Sequence, residues 1–182
     1  MFTFIASGYF PRCALDTTDG AETRVSKIAV MIGECDWGIH DLSRVEIDQN
    51  GGTPRFNMPM ELGMHLGARL LGEGRHRRKR ALILEAEPHR YDISISDISG
   101  QDVEAHNNDP RTAIRIVRNW LSAHRTHNAT PLRGAIALQD DYARFNNEVA
   151  ALLELRNLDP IDELTHSDFM FAIRDWLATR AQ

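Results

Sequence analysis

"RALILEA", Arg80–Ala86, decides the fold. Its apolar run is continuous, with no alternation and no helical stripe, the pattern of a strand covered on both faces in a parallel sheet. Working outward, "RFNMPMELGMHLGARLL", Arg55–Leu71, precedes it and reads as a helix with an apolar stripe at Met58, Leu62, Leu66 and Leu70. Before that helix, "DWGIHDLS", Asp36–Ser43, is short, β-leaning and bounded by polar residues. Strand, helix, strand in that order is the unit from which parallel sheets are built.

The rest of the chain extends the pattern. "SGYFPRCAL" reads as a short strand entered through a glycine, and "DTTDGAE" as a turn in which Thr18 or Asp19 caps the next helix. "ETRVSKIAVMIGEC" places Val25, Ile28, Ala29 and Ile32 on one helical face, and Asn50-Gly51-Gly52 is a turn signal. A further strand is expected near Gln101–Glu104. From Asp109 the pattern is helical, with Asp109 as N-cap and Pro110 in the first position. Two more helices come after it, "GAIALQDDYARFNNEVAALLELRNL" and "THSDFMFAIRDWLATR", the second capped by Thr165 or Ser167. The expected organisation is an α/β core over 1–108, with helices on both faces of a parallel sheet. A helical extension over 109–182 packs on it.

Composition narrows the function. The chain has 182 residues and a formal net charge of -5, which carries no general nucleic-acid signature. Its two cysteines, Cys13 and Cys35, form no disulfide framework and no metal-type spacing, which points to a reducing, cytoplasmic setting. The apolar start "MFTFIASGYFPRCAL" is too short for a membrane span and lacks the basic region of a signal peptide. "RHRRKR", Arg75–Arg80, reads as a solvated loop, with a phosphate contact through Arg77, Arg78 and Lys79 as the sharper alternative. No aromatic residue interleaves the run, so base stacking has no platform there.

Ligands of open parallel sheets bind beyond the carboxyl ends of the strands. That rule gathers His40, Asp41 and Ser43, the start of the helix at Glu61, and Glu85, Glu87, His89 and Tyr91 after the next strand. Asn57 reads as the helix N-cap, with Pro59 in the first turn and Glu61 within reach of the positive dipole end. An ionised carboxylate there suits the positive charge that develops when a glycosidic bond breaks, and equally suits an ordinary dipole-stabilised helix start. Gly63 and Gly67 would let backbone or a flat ligand approach one flank, or would seat the helix on the sheet. His40, Asp41, His65, His89 and His106 lack HExxH spacing, so no metal site is expected among them. Ser43 lacks the Gly-x-Ser-x-Gly elbow, and no glycine-rich phosphate loop is present.

"CDWGIHDLSRVE", "PRFNMPMELGMHLGA", "RRKRALILEAEPHRY" and "SDISGQDVEAH", in this order, resemble a widespread and largely uncharacterised bacterial family with the motif RFNMPxELGxxLGA. That family is distantly similar to Toll/interleukin-receptor (TIR) domains and nucleoside 2-deoxyribosyltransferases, both flavodoxin-like parallel sheets. The resemblance implies N-glycosidic cleavage of a nucleotide, NAD-like or a nucleoside, with Glu61 as catalytic residue. His40, Asp41, Ser43 and Arg44 at the strand end, with Asn57 and His65 on the helix, would bind the substrate. No cofactor is implied beyond that nucleotide. By analogy it also implies a part in anti-phage defence. The alternative is a module that binds a nucleotide signal or a partner protein without turnover, and a third reading is a structural subunit. Relatives are expected to carry an additional first strand, so the chain is expected to lack a central strand and to pair as a homodimer or higher oligomer.

Overall fold

In a computed structural model, the described residues are all but 17–19, 44–55, 94, 99, 127 and 181–182, together with the backbone alone of 92 and 93. The chain forms two compact units, Asp19–Ala113 and Met1–Thr18 with Ile114–Gln182.

The first unit is α/β. Helix α2 (Arg24–Glu34) leads to strand β1 (Trp37–Asp41), helix α3 (Asn57–Leu71), strand β2 (Arg80–Glu85) and strand β3 (Val103–Ala105). The strands form a parallel sheet in the order β1-β2-β3. Trp37 pairs with Arg80 and Asp41 with Leu84, while Glu85 pairs with Ala105. The register aligns the three carboxyl ends, and three bonds carry the ladder past them: Leu42 N–H to the Leu84 carbonyl (2.8 Å), His106 N–H to Glu85 (2.9 Å) and Asn107 N–H to Ala86 (2.7 Å). β2 is the central strand, and Leu82 through Ala86 are all buried, as its unbroken apolar run requires. Leu42, Leu62, Ile83, Tyr91 and Ile98 form the core beside it.

The caps have specific donors. Thr23 caps α2 by accepting the Ser26 N–H, whereas the expected caps Thr18 and Asp19 lie outside the described residues. At the other end of α2, the buried Lys79 ammonium donates to the carbonyls of Ile32 and Cys35, a cation on the negative end of the helix. Arg75 reaches the same turn through the Glu34 carbonyl and Asp36 (2.9 Å). Much of the basic run therefore serves the fold. α3 begins at its expected cap and is capped one residue earlier: Phe56 is the N-cap, without a side-chain bond, and Asn57 is already helical.

The second unit is helical. A short helix α1 (Phe2–Ala6), α5 (Ala135–Arg156) and α6 (His166–Ala178) pack around Phe2, Phe145, Val149, Leu153, Ala172, Ile173 and Trp176. Phe2 lies 5.5 Å from the rings of both Tyr142 and Phe145. The stretch read as a strand, "SGYFPRCAL", has no strand; it is turn and irregular chain after α1. The five-residue helix before it docks through the buried Phe2 instead. Thr165 caps α6 through the Asp168 N–H, and Asn157 ends α5 in the left-handed conformation (φ 51°) that asparagine tolerates. Helix α4 (Pro110–Ala123) carries the boundary between the units. Among the described residues, no helix is long and apolar enough to cross a membrane.

Candidate functional site: a cleft at the strand carboxyl edge

The aligned strand ends open into a cleft of about 640 Å³, lined by Asp41, Ser43, Met58, Leu84, His106, Asn108, Asp109, Pro110 and Ala113. Asp41 ends β1, His106 comes directly after β3, and Asn108 and Asp109 lead into α4. Asn107 and Asn108 take left-handed φ values of 53° and 54°, a conformation that suits asparagine. These two residues turn the chain back so that α4 begins at the sheet edge.

Three polar side chains are locked together. Ser43 Oγ donates to the Asp41 carboxylate, and Ser43 N–H donates to the same oxygen at 3.0 Å. His106 Nε2 lies 2.8 Å from Ser43 Oγ and 3.5 Å from Asp41 Oδ1. The Asn108 N–H donates to His106 Nδ1 at 3.1 Å, which puts the ring proton on Nε2. His106 is thus a donor toward Ser43. In a hydrolase triad the carboxylate faces Nδ1, and Nε2 accepts the serine proton. Here the carboxylate and the hydroxyl share Nε2, so the arrangement positions Asp41 and does not activate Ser43.

Half of the Asp41 side-chain surface is open, while His106 is nearly covered. Asp109 also faces the cleft, but its carboxylate caps α4, accepting the Arg111 N–H (3.1 Å), the Thr112 N–H (2.9 Å) and the Thr112 hydroxyl (2.6 Å). The Thr112 hydroxyl bond, then its backbone bond, hold the Asp109 carboxyl below its ordinary range. No Lys or Arg lines the cleft among the described residues. The site offers oxygen acceptors and an apolar wall of Met58 and Leu84, suited to hydroxyl donors and to neutral or cationic groups.

The expected site residues divide. Asp41 and Ser43 line the cleft. His40 and His65 do not: they are buried as a pair, ring centroids 5.2 Å apart, where β1 meets α3. Alternation along β1 explains this, because neighbouring side chains leave a strand on opposite faces. Both ring nitrogens of His40 and Nε2 of His65 lack a hydrogen-bond partner among the described residues. Burial, reinforced by the His65 charge, lowers the His40 pKa to about 4. Burial and then Lys79 lower that of His65.

Glu61 is half-buried and is not among the described lining residues; burial raises its pKa, and Arg24 of α2 opposes the rise. Asn57 is exposed. Gly63 and Gly67 would meet nothing described within 4 Å if each carried a Cβ, so neither close approach nor seating on the sheet needs them. Lys79 is 1% exposed and occupied at the end of α2, which removes it from any phosphate contact at the surface. Arg77 and Arg78 are exposed, with Arg77 Nε donating to the Gly72 carbonyl at 3.1 Å. Arg44 and the turn read at Asn50-Gly51-Gly52 lie outside the described residues. Glu85 is buried and accepts the Ala86 N–H at 2.7 Å, and Tyr91 belongs to the core.

His106, Asn108 and Asp109 complete the cleft. β3 has three residues, too few to show a period, so the end that presents His106 was not locatable from the pattern. The Asn-Asn-Asp-Pro run before an amphipathic helix was the available signal. No protein-family model matches the chain, nor does any curated protein or solved structure. Fold and site together define an α/β protein with a parallel sheet and an acceptor-rich cleft at its carboxyl edge.

Proposed function

We propose that this cleft binds a small, hydroxyl-rich ligand of the nucleoside class, with Asp41 accepting sugar hydroxyls and Met58 and Leu84 contacting the base. The observation that carries this reading is the Asp41 carboxylate, half open to the cleft and fixed from behind by Ser43 and His106. An acceptor oriented before the ligand arrives loses less entropy on binding.

A second reading, N-glycosidic cleavage of an NAD-like nucleotide or a nucleoside, is favoured by Glu61. It lies one turn beyond the cleft residue Met58, and burial raises its pKa, against the ionised carboxylate read from the helix start and in favour of a proton donor. The resemblance of "NMPMELG" to deoxyribosyltransferase-like and TIR-like sequences supports the same residue, and anti-phage defence is the setting that resemblance suggests.

One experiment separates the two. The purified chain is incubated with nucleosides and NAD, and both bound ligand and released base are measured for the unaltered chain, Asp41→Asn and Glu61→Gln. Retention of a nucleoside that Asp41→Asn abolishes, with no base released, supports binding. Base release that Glu61→Gln abolishes while the ligand still binds supports cleavage. Neither retention nor release would remove both readings.

A further inference from the structure

Cys13, Asp16 and His166 come together within the helical unit, far from the cleft residues in sequence and from a different part of the chain. Their ligand atoms all lie within 4.8 Å of one another. Cys13 Sγ is 3.4 Å from His166 Nε2, and His166 Nε2 is 3.1 Å from Asp16 Oδ1. Donors on a tetrahedral zinc ion, with bonds of about 2.0–2.3 Å, stand roughly 3.3–3.6 Å apart. Two of the three separations are already close to that spacing, and the third is within 4.8 Å.

The surroundings support the three side chains as a set. The Asp16 N–H donates to the Cys13 carbonyl at 3.0 Å, closing a turn that puts thiol and carboxylate on the same side. The Leu15 N–H points at Sγ at 3.4 Å. Arg12 Nε holds the far carboxylate oxygen, Oδ2, at 2.7 Å and leaves Oδ1 toward His166. A partner behind a ligand oxygen is the usual way a protein orients a metal-binding carboxylate. His166 sits in the first turn of α6, placed by the Thr165 cap. The side chains of His166 and Asp16 are 10% and 16% exposed, so the cluster is sheltered but reachable. Cys13 is a thiol and not part of a disulfide.

The geometry points to a binding site for a zinc-class divalent cation, with Cys13 Sγ, Asp16 Oδ1 and His166 Nε2 as its three protein ligands. Thiolate with imidazole and carboxylate is a donor set that zinc accepts and that magnesium or calcium does not favour. Three protein ligands leave one position for water or an incoming group. Bound there, the ion would fasten the N-terminal segment to α6. Sequence spacing could not announce it, because 153 positions separate Cys13 from His166.

The test uses zinc and cobalt(II) with the full chain. One equivalent of zinc is expected to bind, and cobalt is expected to give a thiolate-to-metal charge-transfer band together with the visible bands of a tetrahedral ion. Cys35→Ser should keep the charge-transfer band, and Cys13→Ser should lose it. His166→Gln should weaken binding by at least about tenfold. In the unaltered chain, zinc should slow alkylation of Cys13 and leave Cys35 unaffected, a readout that does not depend on any variant folding. No charge-transfer band with the unaltered chain, a band that survives Cys13→Ser, or equal alkylation of Cys13 with and without zinc would overturn the assignment.

Discussion

Acidification should destabilise the α/β unit through His40. The His40 ring is 6% exposed, and neither nitrogen has a hydrogen-bond partner among the described residues. Its pKa falls from an ordinary 6.5 to about 4, first through burial and then through the charge of His65. At neutral pH the ring is neutral in both folded and unfolded chains. As pH falls through about 6.5 the unfolded chain takes up the proton first, and the folded chain takes it up only near 4. Stability is therefore full above the unfolded value and declines across that window. A difference of roughly 2.5 units at about 1.36 kcal/mol each comes to about 3 kcal/mol. His65 is shifted in the same direction and adds to the loss. Glu61 works against it, because its raised pKa lets the folded chain hold a proton that the unfolded chain has released. Asp16, Asp109 and Glu148, shifted downward, lose their contributions only as pH falls below their ordinary values of 3.8, 3.8 and 4.5. Urea denaturation of the unaltered chain and His40→Leu, from about pH 7 to about pH 4.5, isolates the group. His40→Leu removes two unpartnered nitrogens, so its stability at neutral pH should be equal or higher. The gap between the proteins should widen by about 2–3 kcal/mol toward the acid end. Parallel curves, or an NMR titration of His40 near its ordinary 6.5, would refute the reasoning.

Four substitutions test the packing around the same elements. Gly38→Ala would place a Cβ 2.7 Å from His65 Nδ1 and 2.8 Å from His40 Nε2; it should cost about 1–3 kcal/mol in a urea melt, and an unchanged midpoint would place the imidazoles elsewhere. Gly63→Ala and Gly67→Ala meet open space within a helix and should each add about 0.5–1 kcal/mol by the same measurement, whereas a loss at either would reveal a close contact there. Lys79→Met should cost about 1.5–3 kcal/mol and speed hydrogen exchange at the end of α2, because it removes the charged donor from the Ile32 and Cys35 carbonyls; unaltered exchange would deny that role.

Strand β2 was legible because an apolar run with no alternation has few other uses, α3 and α5 were legible from period, and α4 and α6 from period and caps. The carboxyl-edge rule gathered Asp41 and Ser43 at the strand end, where both line the cleft. It did not separate them from His40, although the two-residue period of a strand turns His40 to the other face. Lys79 looked like part of a surface charge run because a sequence shows neighbours along the chain and not the helix end that Lys79 reaches across 44 positions.

Local physics, read from the sequence alone, determined the parallel α/β character of the first unit and the helices α4 to α6, while the segment Ser7–Leu15, read as a strand, joined the helical unit only in the tertiary structure. Periodicity and capping act within a few residues and leave their mark in order. Only the tertiary structure decided which polar groups meet. It brought His106 to Asp41 across 65 positions and Cys13 to His166 across 153, and it paired His40 with His65 away from the cleft. Those encounters depend on strand register, on two left-handed asparagines and on a five-residue helix docking through one phenylalanine. None of these leaves a period in the sequence, because each is settled by packing between segments far apart along the chain.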